Sequence, residues 1–136
     1  VNTTKREQAL EILSKNYVGV MATVAGDRPD SRYMTFVNDE FTLYTATPRD
    51  SDLLKELQAN PHTHILYGYE NGDMGDTFLE IEATAAEFNA DAIKEKIIAL
   101  YPYHVDGMSM TLIKIEPVRM RFMNKAGDNQ EEVDFQ

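Results

Sequence analysis

Two stretches of the chain carry residue types that could hold an anion. In Ser31-Arg32-Tyr33-Met34-Thr35-Phe36-Val37, the two-residue period of a strand sets Arg32, Met34 and Phe36 on one face. A guanidinium sharing a face with Met and Phe is either a rim arginine in an ion pair or a fork of donors turned toward a phosphate. The second stretch is Thr45-Ala46-Thr47-Pro48-Arg49-Asp50-Ser51, where a strand passes through a loop into a helix start. Free N–H groups and the positive end of the helix dipole favour an anion at such a point. Thr45, Thr47 and Ser51 add hydroxyls and Arg49 adds a charge. Plain N-capping by Asp50 or Ser51 accounts for the same residues, and Asp50 and Asp52 oppose an anion.

Other candidates are weaker. His62 and His64 alternate on a strand and His104 lies in a later loop, with no carboxylate or cysteine at a ligand spacing nearby, so no metal site is expected. Tyr33, Tyr44, Tyr67, Tyr69, Tyr101 and Tyr103 could stack on a planar ring, although packing in a core or an interface also uses tyrosine. No serine stands in a nucleophile-elbow context, so hydrolase chemistry has no support. The chain contains no cysteine, which excludes disulfides and thiol catalysis.

Composition narrows the partners. The net charge is −10, and the thirteen Lys and Arg residues form no basic stripe. A nucleic-acid polymer is therefore not an expected partner, whereas a local pocket for one small anion is. No apolar run approaches the roughly 20 residues of a membrane helix, and the first fifteen residues are polar and charged, unlike a secretory signal. A cytoplasmic protein without a membrane partner is the expectation.

These residues need elements to position them. Thr4-Lys5-Arg6-Glu7 has capping-box spacing, and Leu10, Leu13 and Tyr17 recur at helical spacing with Ile12 beside them, which predicts a helix over 4–16. Strands are predicted over 17–24, 31–37 and 41–47, with turns at 25–30 and 38–40. A short helix over 51–59 ends at Asn60-Pro61. A strand over 62–69 and a loop over 71–76 follow, then a long strand over 77–88 that bends near Ala85. A helix over 91–101 displays Ile93, Ile97 and Leu100, and strands over 111–115 and 118–123 flank a bend at Pro117. The chain thus divides into a folded domain, 1–124, and a polar, acidic tail, 125–136, that should fray. With short links between adjacent strands, this order predicts an α+β fold with an antiparallel barrel or strongly coiled sheet. A Rossmann fold is excluded, because strands and helices do not alternate and no Gly-rich turn follows the first strand.

In order and spacing, the chain resembles the FMN-binding split barrels, the pyridoxamine 5′-phosphate oxidase-like proteins. The resemblance rests on a helix, Val18-Gly19-Val20-Met21-Ala22-Thr23-Val24, the Gly26-x-x-Pro29 turn, Ser31-Arg32-Tyr33-Met34 and Leu43-Tyr44-Thr45-Ala46-Thr47. Asp50-Ser51 followed by Leu54-Lys55-Glu56-Leu57 and Asn60-Pro61 is similar to the general stress protein 26 branch. The resemblance implies a six-stranded antiparallel Greek-key split barrel with flanking helices, forming a homodimer with two FMN sites across its interface. It further implies that Arg32 and Ser51 contact the FMN phosphate, that Tyr33, Met34 and Thr35 lie along the flavin, and that residues 44–47 help line the site. This chain departs from the family in carrying Asp52 and Leu53 where a lysine two positions beyond the serine is usual, and Phe122 nearest to where a tryptophan is often found. The activity implied is FMN-dependent oxidation or reduction of an unidentified small molecule. A non-catalytic flavin- or ligand-binding dimer is the alternative, as is a barrel that has lost its cofactor.

Overall fold

The computed structural model describes residues 4–68, 77–124 and 131–135. The first helix, α1 (Lys5–Lys15), begins where Thr4 Oγ1 accepts a hydrogen bond from Glu7 N at 3.1 Å, satisfying one free helical donor. Ala9 and Leu13 form its buried stripe, with Leu10 and Ile12 packed beside them. Tyr17, expected on that stripe, lies beyond the helix and is half exposed.

Strands β1 (Val18–Ala25), β2 (Arg28–Asp39) and β3 (Thr42–Pro48) follow as an antiparallel meander. The β1–β2 turn is tighter than the sequence suggests. Ala25 pairs with Arg28, leaving Gly26 and Asp27 alone in the bend, and β2 includes Pro29 and Asp30. Gly26 supplies the positive φ, +71°, that such a turn requires. After α2 (Asp52–Ala59) the chain returns to lay β4 (His62–Tyr67) beside β1, and β5 (Thr77–Phe88) and β6 (Met110–Asn124) complete the sheet. The order β3-β2-β1-β4-β5-β6, with β6 pairing back on β3, closes a six-stranded antiparallel barrel. The local order β3-β2-β1-β4 is a Greek key. The fold is the α+β split barrel that the sequence predicts, with its three helices packed on the outside.

Three local expectations change. The predicted break at Pro117 is a bulge within one continuous strand: Glu82 faces Arg119 and Ala83 faces Pro117, so Val118 is the extra residue and the irregularity lies before Ala85. The third helix, α3 (Asp91–Ile98), ends before Leu100, which is left part exposed. The described part of the tail docks instead of fraying. Its short strand β7 (Glu131–Glu132) pairs with Arg121 and Phe122, Val133 is buried, and the Phe135 ring lies 5.6 Å from that of Phe41. Two apolar residues at alternating positions outweigh the acidic ones around them. Residue 69 of the predicted fourth strand and the predicted loop at 71–76 lie outside the described residues.

The core fills the barrel and is capped by α1 and α2. Phe36 meets Tyr67 edge to face, ring centres 5.6 Å apart. Tyr67 is buried, its hydroxyl donates to the Asn16 carbonyl, and burial pushes the phenol pKa up. Gly19 lies against this pair; a Cβ there would stand 2.7 Å from Tyr67 Cδ1 and 2.8 Å from the Leu66 carbonyl oxygen. A second, smaller cluster packs outside the barrel, where α3 sets Ile97 onto Tyr44, Ala46, Met110 and Leu112. No helix among the described residues is long and apolar enough to cross a membrane.

Candidate functional site

Alternation along β2 sends its residues to two different places. Met34 and Phe36 join the barrel core, while Val37 joins the outer cluster and Tyr33 stands 78% exposed. Between the outer side of β2, the end of β3 and residues 101–110 lies a cavity of about 550 Å³. Tyr33, Met34, Thr35, Ala46, Thr47 and Pro48 form one side of it, and Tyr101, Pro102, Tyr103, Val105 and Met110 the other. The lining carries no formal charge, and its size lies in the ordinary range for a small-molecule site, about 300–1,000 Å³.

At one end of the cavity the chain turns into α2. Thr47 Oγ1 donates to Ser51 Oγ at 2.8 Å, and Ser51 Oγ accepts from Leu54 N at 3.2 Å, so Ser51 is the N-cap. Arg49 holds the segment from the other side: its backbone N–H donates to the Ser109 carbonyl and its Nε to the Met108 carbonyl. The hydroxyls of Thr47 and Ser51 thus meet at the start of α2, with the exposed Arg49 in the same loop, which is suitable chemistry for a small anion.

Arg32 lies apart from the cavity lining. Its Nη1 donates to Thr23 Oγ1 at 2.8 Å and to the Met21 carbonyl at 3.2 Å, and its Nη2 pairs with Asp30 at 2.8 Å and Glu56 at 3.2 Å. Glu56 is mostly buried and also accepts from Thr23 Oγ1, while Asp30 is half exposed. In this structure the fork joins β1, β2 and α2. Of the other expected residues, Tyr44 faces α3 on the outer side of β3, and Thr45 is fully buried with Oγ1 donating to the Thr35 carbonyl. The structure therefore brings Tyr33, Met34, Thr35 and Thr47 into one cavity, places Arg49 and Ser51 beside its end, and sets Tyr44, Thr45 and Arg32 behind its walls.

Leu53, at the position where the resemblance leads one to expect a lysine, is 5% exposed and packs in the barrel core. The 101–105 wall was missed as such by sequence reasoning. Its signal in the sequence is the Tyr101-Pro102-Tyr103 run, two aromatic residues flanking a proline just beyond a helix.

A second cavity of about 560 Å³ lies on the outer face of β1, β2 and β4, beside the exposed Tyr17, Val18 and Leu66. Tyr33 lines both cavities. Beyond Leu66 the surface turns polar: Arg121 and His64 both bind Glu80 Oε1, His64 from 2.8 Å. Burial works to raise the Glu80 pKa, but the hydrogen bonds and charges of Arg121 and His64 outweigh it and hold the carboxyl below its usual range. Among the described residues, no three His, Asp or Glu side chains gather in a way that could hold a metal ion.

The family model described as pyridoxamine 5′-phosphate oxidase matches residues 6–124. General stress protein 26 of Bacillus subtilis (strain 168) is 34% identical over 123 residues, which cover 88% of each chain. Among solved structures, a candidate pyridoxamine 5′-phosphate oxidase from Listeria innocua has a TM-score of 0.77 at 36% identity, covering 90% of this chain and 100% of its own. A FAD-binding protein from Mesorhizobium loti has a TM-score of 0.68 at 14% identity, covering 83% and 89%; at that identity the likeness is one of fold.

Proposed function

The chain belongs to the pyridoxamine 5′-phosphate oxidase family, and from that premise we propose that it binds FMN in the tyrosine-rimmed cavity and acts as an FMN-dependent oxidoreductase on a small molecule. One observation carries the reading: an uncharged cavity of about 550 Å³ ends beside the hydroxyls and guanidinium of residues 47–51. A planar ring and a phosphate would each meet a matching surface there. The fold likeness to a FAD-binding protein supports a flavin as the occupant.

In this reading Tyr33, Met34 and Thr35 lie along the ring, and Thr47, Arg49 and Ser51 receive the phosphate. Tyr44 supports β3 from the α3 side, and Thr45 fixes β3 to β2 through the Thr35 carbonyl. Arg32, behind the wall and paired with the half-exposed Asp30 and the mostly buried Glu56, would reach the phosphate only by giving up the Asp30 pair. A bound flavin would supply the two-electron step; the protein's own residues bind, orient and exclude water.

The working unit is a homodimer. The exposed Tyr17, Val18, Tyr33 and Leu66 line one cavity on the outer face of β1, β2 and β4 that a partner would cover, and Tyr33 makes that face continuous with the flavin cavity. A second copy docked there would bring its own residues to the cofactor. A cytoplasmic location fits the acidic composition.

A second reading is a non-catalytic flavin- or ligand-binding dimer, or one with weakened cofactor binding. The engagement of Arg32 with two carboxylates favours it. Purified protein carrying the visible spectrum of an oxidised flavin, bleached by reduced nicotinamide and restored by turnover, is the result expected of the oxidoreductase. A spectrum without turnover selects the second reading. Colourless protein that does not take up added FMN overturns both flavin readings, and a monomer by sedimentation equilibrium overturns the dimer.

A further inference from the structure

Opposite β2, the far wall of the cavity is made by two tyrosines. The rings of Tyr101 and Tyr103 are nearly parallel, 13° apart with centres 5.7 Å from one another, on either side of Pro102. The wall is held in place from two directions. Tyr101 N and Leu100 N donate to the Ile98 and Ile97 carbonyls, and Ile97 is fully buried. On the other side, Lys94 Nζ donates to the Gly107 carbonyl at 3.0 Å and to that of Met110 at 3.4 Å. Tyr103 nevertheless stays 66% exposed, so one aromatic face of a fixed stack is offered to solvent at the cavity mouth, as is Tyr33 on the other side.

Charge defines what this mouth accepts. None of the cavity's lining residues is charged, Lys94 directs its ammonium to the Gly107 and Met110 carbonyls, and Arg49 is the cation already assigned to the flavin phosphate at the α2 end. Burial and the neighbouring Tyr103 raise the Tyr101 pKa, so its phenol stays neutral at neutral pH. The net charge of −10 adds a repulsive field for anions. A second phosphate, as on pyridoxamine 5′-phosphate, would find no counter-charge at this mouth. We propose that Tyr101 and Tyr103 form a substrate-side stacking site that takes an uncharged planar aromatic compound and discriminates against anionic ones. This rests on the reading of the inner cavity as the flavin site, and names the substrate class for it.

The test is equilibrium dialysis of the purified protein, its flavin content first recorded, against naphthoquinone, a ring-sulfonated naphthoquinone and pyridoxamine 5′-phosphate. The chain has no cysteine to react with a quinone. Naphthoquinone should bind, and the two anionic probes should bind at least several-fold more weakly. Tyr103→Ala should weaken naphthoquinone binding about three- to tenfold, the range for loss of one aromatic contact. Tyr103→Phe should stay within about twofold of the parent, since it keeps the ring. Tyr103→Phe, which also keeps the stack on Tyr101, should not shift the thermal midpoint. Equal or tighter binding of the anionic probes, or no effect of Tyr103→Ala, overturns the proposal. Colourless protein that takes up no added FMN and still binds naphthoquinone through Tyr103 overturns the flavin reading and upholds the stacking site.

Discussion

The two halves of β2 are built to opposite rules. Toward its C-terminal end, Phe36 is fully buried, meets Tyr67 edge to face and lies against a glycine that tolerates no side chain. A few residues earlier, Tyr33 stands in solvent between two cavities, and Arg32 is tied to two carboxylates. The C-terminal half is a packed seam inside the barrel, and the N-terminal half a rim where Tyr33 faces solvent and Arg32 is held by polar partners instead of apolar packing. Stability should therefore respond to substitutions in the seam and recognition to substitutions in the rim.

The largest effect is expected where the seam runs under the anion loop. Leu53→Lys would force an ammonium into the core, costing about 3–5 kcal/mol. A urea midpoint that falls with no gain in FMN affinity is the expected result. Tighter FMN binding at unchanged stability would place Leu53 in the rim instead.

Arg32 tests where the boundary lies. Arg32→Ala should weaken FMN binding by about 1.5–3 kcal/mol, the scale of a charge-assisted hydrogen bond. Asp30→Asn, which removes the competing carboxylate, should strengthen it. Calorimetry showing both variants with parental FMN affinity would make Arg32 a strut of the seam, joining Glu56 to β1.

Gly19→Ala probes the tightest contact in the seam. Because one clash is with the Leu66 carbonyl and not only with a movable side chain, a loss of about 1–3 kcal/mol is expected from thermal or urea unfolding. A stability equal to the parent's would show that Tyr67 and β4 can move aside.

The smallest effect belongs to the polar patch beyond Leu66. The Glu80 carboxyl is depressed in the folded protein, so its stabilisation is complete above the ordinary value of 4.5 and is lost as pH falls through the lower folded value. Parent and Glu80→Gln should differ by about 1 kcal/mol at neutral pH, and the gap should narrow in acid. A gap that persists into acid would mean packing, not charge, sets the role of Glu80.

Much of the architecture was legible along the chain. The Thr4 cap, the Gly26 turn, the Asn60-Pro61 stop and the alternation that puts Arg32, Met34 and Phe36 on one face are local signals, set by cap chemistry, backbone sterics and the pleat. Local signals failed where a distant contact outweighed them. Pro117 became part of a bulge because β5 pairs with that strand both before and after it, and the acidic tail docked because Val133 and Phe135 found apolar surface.

The candidate site divides along the same line. Residue types and period were enough to single out Arg32, the β2 run and residues 45–51, because donors, hydroxyls and a helix start are written in consecutive positions. The chain alone left two meanings open for Arg32 and for Leu53, since an ion pair and a phosphate ligand use the same guanidinium, and a core leucine and a missing cation the same position. Tertiary structure chose by bringing in residues far away in sequence. Glu56 comes to Arg32 from α2, Leu53 meets the barrel core, and Tyr101 and Tyr103 face β2 from beyond α3. The sequence fixes which chemistry each residue can offer, and only the closed barrel decides which partner takes it, because neighbours across strands are set by register and not by order along the chain.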